Sequence, residues 1–308
     1  MDFSISHFHH LDEQQVELVK QLNRSATVHD DLAPLSEHVL IHLNHGGDDH
    51  DEHVVAMSAD SIVGYLHLDQ TDQVAGPVVE LVVHPAFRRN GVGTALVKAA
   101  VARVRDSRLR LWAHGELAMA HALAENLGFN KSRELWQMRR SLLAALPKLE
   151  IPQDVTIRHF VVGQDEEAWL KLNAAVFADH PEQGQLSASD LHVRMNESWF
   201  DPAGFLIAEK SGDMIGFHWT KIHGGHRHGS EHNHAEVGEI YVLGVTPAQR
   251  GTGLSQALTI AGLEYLRDQG LNAAMLYVDA DNASAIRLYE SVGFGHWDTD
   301  VMFSSSTN

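Results

Sequence analysis

Two short segments of the chain combine an arginine with glycines at the same spacing, RRNGVG at 88–93 and RGTGLS at 250–255. Each follows a valine-rich stretch and precedes apolar residues spaced three and four apart, which predicts a turn from a strand into a helix. The first N–H groups of a helix lack intrahelical partners and lie at the positive end of its dipole, so they bind phosphate well. The spacing differs from the Rossmann and P-loop patterns and therefore disfavours NAD and ATP.

These two segments belong to a longer internal repeat. Three pairs of blocks match in the same order along the chain: VHPAFRRNGVGTAL (83–96) with VTPAQRGTGLSQAL (245–258), DSIVGY (60–65) with GDMIGF (212–217), and NLGF (126–129) with SVGF (291–294). Seven of the fourteen positions of the first pair are identical. The sequence therefore predicts a duplicated domain.

The two copies are predicted to meet in a short linker. The stretch 147–155 carries Pro147 and Pro152 between apolar segments, as a linker does. We therefore expect domains at 1–146 and 156–308. Each copy has an early helix (14–23 and 166–177), strands before the glycine turn, and further strands and helices after it, which predicts an α/β fold with a mixed sheet.

Composition limits the possible partners. The chain has 308 residues, no cysteine and a net charge of −18 with its histidines neutral. A field of that sign repels nucleic acid and anionic membranes, and the absence of cysteine excludes disulfides and a cysteine nucleophile. The polar, acidic N-terminus is not expected to be a secretory signal. We expect a cytoplasmic protein without nucleic-acid or membrane partners.

The glycine turns resemble the signature [Q/R]-x-x-G-x-[G/A] of the GNAT superfamily of N-acetyltransferases. The first turn matches it fully, whereas the second has Ser255 at the last position, for which we expect less room but no blocked site. The resemblance implies two tandem GNAT-like domains, each a mixed, mostly antiparallel sheet flanked by helices, with acetyl-CoA as co-substrate. It also implies the following CoA contacts: Leu81, Val82, Val83, Arg89, Asn90, Gly91, Val92, Gly93, Thr94, Leu243, Gly244, Val245, Arg250, Gly251, Thr252, Gly253, Leu254, Ser255, Gln256, Asn282, Ala283, Ser284, Ala285, Ile286 and Arg287.

Further blocks resemble one branch of that superfamily, the mycothiol synthase family. They are HPEQG (180–184), WFDP (199–202), GFHWTK (216–221), GEIYVLGV (238–245) and LYVDADNASAIRLYESVGF (276–294). Members of that family acetylate the cysteinyl amine of a cysteine–glucosamine–inositol pseudo-disaccharide. Two alternatives stay open: acetylation of another amine, such as a protein N-terminus or an aminoglycoside, and a non-catalytic CoA sensor or metal buffer.

Two side chains in the second copy could carry the chemistry. Tyr289 is predicted about two turns into a short helix, where a tyrosine of the wider superfamily donates to the CoA sulfur. Glu239 opens an apolar strand, and the resemblance places the general base there; Glu231 and Glu236 are nearby rivals. The first copy has Ala124 and Pro77 at the aligned positions, so we expect it to be catalytically inactive. The oxyanion is expected to meet a backbone N–H around 243–245.

The resemblance also implies substrate contacts at Glu37, Glu182, Lys221, Glu239 and Tyr277. Carboxylates suit sugar and inositol hydroxyls and an ammonium group. Because Glu37 lies in the first copy, its involvement would bring both copies to one substrate. We expect a monomer acting on a small molecule.

Two histidine-rich stretches, HGGDDHDEH (45–53) and HGGHRHGSEHNH (223–234), could bind zinc or nickel, because imidazole is a good ligand for both. Neither shows a fixed helical H-x-x-x-H pair with a supporting carboxylate in a clear fold, since glycine and aspartate dominate between the histidines. We expect solvated loops and no metal.

Overall fold

A computed structural model describes residues 2–47, 50–72, 76–104, 108–178, 181–224 and 236–305, with the side chains of 181 and 182 excepted. By contacts these residues form two units. Unit 1 comprises the described part of Met1–Leu135 and Asp298–Asn308, and unit 2 comprises that of Trp136–Trp297. This division follows packing, whereas the boundaries at 146 and 156 follow the sequence repeat and stay a prediction.

Unit 1 alternates strands and helices around a central sheet. Its elements are β1 (Ser4–Phe8), α1 (Glu13–Asp30), α2 (Glu37–His45), β2 (Asp51–Ser58), β3 (Ser61–Asp69), β4 (Val78–Val83), α3 (Val92–Val101), β5 (Arg110–Ala113), α4 (Ala118–Asn126), β6 (Phe129–Ser141) and most of β12 (Gly295–Ser305). The strand order is β1-β2-β3-β4-β5-β12-β6. The β1–β2, β2–β3, β3–β4 and β5–β12 ladders are antiparallel, and the β4–β5 ladder is parallel.

Neighbouring residues of the unit 1 strands bury opposite faces of the sheet. Val54 and Leu66 join the cluster that contains Leu96 of α3, whereas Val55 and Tyr65 join the cluster that contains Val19 of α1. This is the two-residue period of a strand with a core on each side. The sheet is thereby covered by helices on both faces.

Unit 2 repeats this plan. Its elements are the last part of β6, then β7 (Thr156–His159), α5 (Glu166–Val176), α6 (Pro181–Gly184), α7 (Ala188–Met195), β8 (Phe205–Lys210), β9 (Asp213–His223), β10 (Val237–Val245), α8 (Leu254–Asp268), β11 (Ala273–Asp279) and α9 (Ala283–Ser291). The strand order is β6-β11-β10-β9-β8-β7, in which β10–β11 is parallel and the three ladders that join β7 to β10 are antiparallel. The prediction of mixed, mostly antiparallel sheets in a tandem α/β fold is confirmed.

The helices after the fifth strand of each copy correspond residue for residue. α4 runs from Ala118 to Asn126 and α9 from Ala283 to Ser291, a constant offset of 165. Ala124 of α4 therefore stands where α9 has Tyr289. No helix among the described residues is long and apolar enough to cross a membrane.

Candidate active site

Both glycine turns lead into a helix whose first N–H groups have no intrahelical partner. α3 follows Gly91 and α8 follows Gly253, and neither N-cap has a side-chain hydrogen bond. The first intrahelical bonds run from Ala95 N to Gly91 O (2.9 Å) and from Ala257 N to Gly253 O (3.0 Å). The N–H groups before Ala95 and Ala257 can therefore donate to a phosphate.

The backbone conformation explains the glycines of these turns. Gly91, Gly251 and Gly253 have φ angles of 85°, 76° and 87°, and a Cβ on any of them would meet no atom within 4 Å. The glycines are therefore required by the left-handed conformation more than by crowding. Arg89 takes a φ of 62° at the position where the second copy has Gly251. The first turn thus contains a side chain in a conformation that costs energy.

The two signature arginines differ in their surroundings. Arg88 makes two hydrogen bonds to Asp30, at 2.7 and 2.6 Å, and a third to the carbonyl oxygen of Val83. Arg88 thus uses these hydrogen bonds to stabilise the fold of unit 1. Arg250 and Arg89 are exposed and have no ion pair among the described residues, so they are available to an anion.

Unit 1 contains a cavity of about 370 Å³ beside its glycine turn. The β4–β5 ladder covers only Val78 and Val79, although β4 continues to Val83, so the two strands separate. The cavity opens in this gap, and its lining includes eight of the nine predicted CoA contacts of the first copy: Leu81, Val82, Val83, Arg89, Gly91, Val92, Gly93 and Thr94. An extended, partly apolar ligand fits such a cleft.

The corresponding strands of unit 2 also pair only at their beginnings. The β10–β11 ladder covers Gly238–Ile240 with Ala274–Leu276, while β10 continues to Val245. β10 additionally has a bulge between Ile240 and Val242 against β9, whereas the β3–β4 ladder of unit 1 runs without interruption. A bulge bends a strand and redirects its side chains. Positions 243–245 lie beyond it, 250–256 form the turn and the first residues of α8, and 282–287 form the start of α9.

Glu239 lies near the start of β10 and is 7% exposed. Nε2 of His223, on β9, donates to its Oε2 at 2.6 Å. Lys221 is the register partner of Glu239 on β9, and its ammonium lies 4.7 Å from the ring centre of Trp199 and 5.3 Å from that of Tyr241. A buried carboxylate, an imidazole and an ammonium therefore occupy one stretch of the β9–β10 ladder.

The sequence alignment misplaced the counterpart of Glu239 by one residue. Glu239 pairs with Met275 of β11, and Val78 pairs with Arg110 of β5; Met275 and Arg110 are 165 residues apart, like the helices that follow. The bulge in β10 explains why the alignment gave Pro77. The conclusion is the same, because a valine side chain cannot accept a proton either.

Tyr289 lies on α9 as predicted and is 8% exposed. It packs in one cluster with Ile240 and Leu276, and its ring centre is 6.0 Å from that of Phe294. Burial raises the pKa of its hydroxyl to about 12. Asn282 caps the same helix, accepting a hydrogen bond from Ala285 N at 3.1 Å. Tyr289 therefore keeps its proton at neutral pH, and its role as a hydrogen-bond donor stays a prediction.

The predicted substrate contacts are spread over both units. Lys221 and Glu239 lie opposite each other, and Tyr277 on β11 is 40% exposed and accepts a hydrogen bond from Gln137 Nε2 at 2.8 Å. Glu37 is the first residue of α2 in unit 1. The side chain of Glu182, in α6, lies outside the described residues, as does the rival Glu231. The role of these five residues in binding substrate stays a prediction.

Sequence reasoning missed two polar groups. One is His223, which the sequence suggested only as part of a histidine-rich loop. The other is a buried set in unit 1, where His114 lies 3.2 Å from Glu80 and 2.9 Å from Asp300. These contacts span 34 and 186 residues of sequence. No local spacing indicates them.

The histidine-rich stretches only partly match the expected solvated loops. Residues 225–235 lie outside the described residues. In the other stretch, Asp51, Glu52 and His53 belong to β2 and are 1%, 7% and 3% exposed. The expectation of a solvated loop is therefore wrong for residues 51–53. A run of acidic residues and histidines does not indicate, in the sequence, that a helix packs on the strand and buries it.

Both units have parallel strands that separate beside an uncapped glycine turn, and unit 2 also has a buried acid and a buried tyrosine. This arrangement is typical of an acyltransferase of the GNAT type. A family model described as acetyltransferase (GNAT) family matches residues 17–129 and 169–294. The chain belongs to this family, with one copy in each half.

Individual relatives indicate which branch of this family the chain is similar to. A mycothiol acetyltransferase of Acidothermus cellulolyticus is 54% identical over 286 residues, covering 90% of this chain and 87% of that protein. One of Streptosporangium roseum is 47% identical and covers 98% and 99%. In structure, a GCN5-related N-acetyltransferase from Sphaerobacter thermophilus (TM-score 0.72, 22% identity, covering 98% and 95%) and a tandem GNAT protein from the clavulanic acid biosynthesis pathway (0.73, 19%, 100% and 99%) share the fold. The chain is thus an acetyltransferase similar over nearly its whole length to mycothiol acetyltransferases.

Proposed function

We propose that the chain transfers the acetyl group of acetyl-CoA to the cysteinyl amine of a cysteine–glucosamine–inositol pseudo-disaccharide, the last step of mycothiol biosynthesis. The observation that carries the proposal is identity of 47–54% with proteins named mycothiol acetyltransferase, over most of both chains. The retained Glu239 and Tyr289 of unit 2 support it, because both side chains have the chemistry that the reaction needs.

Acetyl-CoA would bind with its pyrophosphate at the start of α8. The N–H groups of Leu254, Ser255 and Gln256 would donate to it, and the exposed Arg250 would supply a cation beside it. Bound there, the thioester supplies an electrophilic carbonyl and a thiolate leaving group. The β10–β11 ladder ends at Ile240, so the edge of β10 beyond it can donate backbone N–H groups to the carbonyl oxygen.

Glu239 would accept the proton that the amine loses as its nitrogen bonds to the carbonyl carbon. An α-amine titrates near ~7.8, so a carboxylate needs to remove only the last proton as the C–N bond forms. His223 acts as a positioning residue, since its hydrogen bond fixes one of the two carboxylate oxygens. The strand position and the bond together hold the base in a single orientation.

Tyr289 would donate a hydrogen bond to the sulfur as the C–S bond breaks. Its pKa of about 12 lies above that of a thiol, near ~8.5, so the proton stays on the tyrosine and the leaving thiolate takes its proton from solvent. The hydroxyl therefore stabilises developing charge.

Unit 1 would bind CoA without catalysing transfer. Its cavity and its uncapped α3 support binding, whereas Ala124 and Val78 remove the donor and the base. We propose that residues 1–146 form this domain, that 147–155 link it to the catalytic domain 156–308, and that no metal takes part in acetyl transfer. We further propose that the protein acts as a cytoplasmic monomer.

The decisive experiment is turnover of acetyl-CoA with the purified full chain, followed by mass spectrometry of the product. Acetylation of the cysteine–glucosamine–inositol acceptor is expected, and glucosamine–inositol, which lacks the cysteinyl amine, should remain unchanged. Faster turnover of an aminoglycoside or a peptide N-terminus would replace the proposed acceptor. Binding of CoA without turnover of any amine would favour a sensor.

Retention of CoA by unit 1 has its own test. Gly91→Val should lower the amount of CoA that co-purifies with the protein, because valine disfavours the φ of 85° that shapes the turn. Gly128→Val is the matched control, since Gly128 has a φ of 80° and equal free space away from the glycine turn. Equal loss in both variants would contradict the assignment.

A further inference from the structure

Unit 1 contains a buried cluster of two imidazoles and a carboxylate outside its cavity. Nδ1 of His42, on α2, lies 2.5 Å from Oδ2 of Asp51, on β2. Nε2 of His67, on β3, lies 3.1 Å from Oδ1 of the same carboxylate. One ligand atom from each of the three residues lies within 4.8 Å of the other two. Three separate elements thus direct metal-ligating atoms at one point.

The spacing of these atoms suits a small divalent cation. Ligand atoms about 2.0–2.1 Å from zinc at tetrahedral angles are about 3.3 Å apart. The His42–Asp51 and His67–Asp51 distances are 2.5 and 3.1 Å, so a shift of a few tenths of an ångström to about one ångström opens the set around an ion. Two imidazoles and one carboxylate form a donor set that first-row divalent metals accept.

Burial distinguishes this cluster from surface histidines. The side chains of Asp51 and His67 are 1% and 2% exposed, and that of His42 is 15% exposed. Nε2 of His67 is fully buried and lacks an aligned hydrogen bond despite its proximity to the carboxylate. A buried nitrogen without such a bond is costly. A metal ion would give this buried nitrogen a partner.

A second set of polar groups surrounds the three ligands. The ring centre of His38 lies 4.0 Å from that of His42, and Nε2 of His38 lies 3.0 Å from Asp69. On the other side, the ring of His53 lies 5.6 Å from that of His67, and its Nδ1 lies 2.8 Å from the Tyr65 hydroxyl. His38 and His53 thus pack beside the rings of His42 and His67, while their own hydrogen bonds go to Asp69 and Tyr65.

We propose that His42, Asp51 and His67 bind one divalent first-row cation of the zinc type, which fastens α2 to β2 and β3. The site is structural, because its ligands are buried and none of them lines the cavity of unit 1. It lies five residues along α2 from Glu37, so the ion would hold the helix that begins with a predicted substrate contact. The net charge of −18 favours uptake of cations.

The test is titration of the full chain with Zn²⁺ and with Co²⁺ as a spectroscopic probe. Histidines 226, 228, 232 and 234 are first replaced by glutamine, so that the other histidine-rich stretch does not contribute. We expect one equivalent to bind, with visible Co²⁺ bands of tetrahedral type and a higher Tm in the presence of Zn²⁺. His42→Gln and His67→Gln should each weaken binding at least ~10-fold.

His53→Gln is the matched control, because His53 is buried in the same region but is not a ligand. It should keep the stoichiometry and the bands. Circular dichroism of each variant without metal shows whether it is folded; if His67→Gln is not, the more exposed His42→Gln decides. No binding by the parent, or equal binding by the parent and the folded ligand variants, would overturn the proposal. Neither result depends on acetyl transfer.

Discussion

Tyr289→Phe most directly tests the proposed role of the Tyr289 hydroxyl as a hydrogen-bond donor to the CoA sulfur. The substitution removes only the hydroxyl and keeps the ring that packs against Phe294. Because burial raises the pKa of this hydroxyl to about 12, transfer of its proton to a thiolate of pKa ~8.5 is uphill by about 5 kcal/mol at 1.36 kcal/mol per unit. The hydroxyl should therefore act by hydrogen bonding alone.

The expected size of the effect follows from that role. A hydrogen bond to a charged group contributes about 1.5–3 kcal/mol, so loss of the donor should lower kcat by roughly 10- to 150-fold. KM for acetyl-CoA should change little, because the interaction strengthens only as charge develops on sulfur. The parent's kcat should show no alkaline decrease from Tyr289 up to about pH 10, well below its pKa.

The assay is steady-state acetylation of the acceptor, followed by chromatography and mass spectrometry because the acceptor itself carries a thiol. Tyr265→Phe is the matched control: its hydroxyl donates to Asp201 at 2.6 Å on another part of unit 2. That variant should lose about 1.5–3 kcal/mol of stability, because the bond is to a carboxylate, and keep its kcat. A kcat for Tyr289→Phe within about twofold of the parent would refute the donor role.

Three other substitutions test separate parts of the structure. Glu239→Gln should lower kcat about 10²- to 10⁴-fold at neutral pH and less where the amine is already neutral; an unchanged pH–rate profile would remove Glu239 as the base. Gly253→Val should raise KM for acetyl-CoA, because Gly253 has a φ of 87° at the start of α8. Gly270, which follows the end of that helix, has a φ of 86°, so Gly270→Val should lower stability by a similar amount without raising KM. Equal KM values in the two variants would contradict binding at the turn. Burial alone would lower the pKa of His114, but Glu80 and Asp300 together raise it to about 10. The stabilising effect of protonated His114 is therefore complete below the unfolded pKa near 6.5 and is lost as the pH rises through 10. Denaturant unfolding should show the free energy of unfolding of the parent falling between pH 6.5 and pH 10, and falling much less in His114→Gln. Parallel curves of this free energy against pH would refute the role of His114.

The sequence alone predicted the duplication, the α/β fold and the two glycine turns. These features are local: a strand followed by glycines at fixed spacing and a helical apolar pattern can be identified without knowing which strands pair. The same reasoning placed Tyr289 on a short helix and showed that Ala124 replaces it in the first copy. The family resemblance added Glu239, for which strand position alone left two rivals.

Only the tertiary structure determined what surrounds these residues. The bulge in β10 changed the counterpart of Glu239 from Pro77 to Val78, and pairing with β9 brought His223 to its carboxylate. The cluster of His42, Asp51 and His67 likewise combines a helix with two strands. Hydrogen bonds, burial and metal geometry depend on atoms a few ångströms apart, and residues distant in sequence reach that range only after the sheet forms and the helices pack on it.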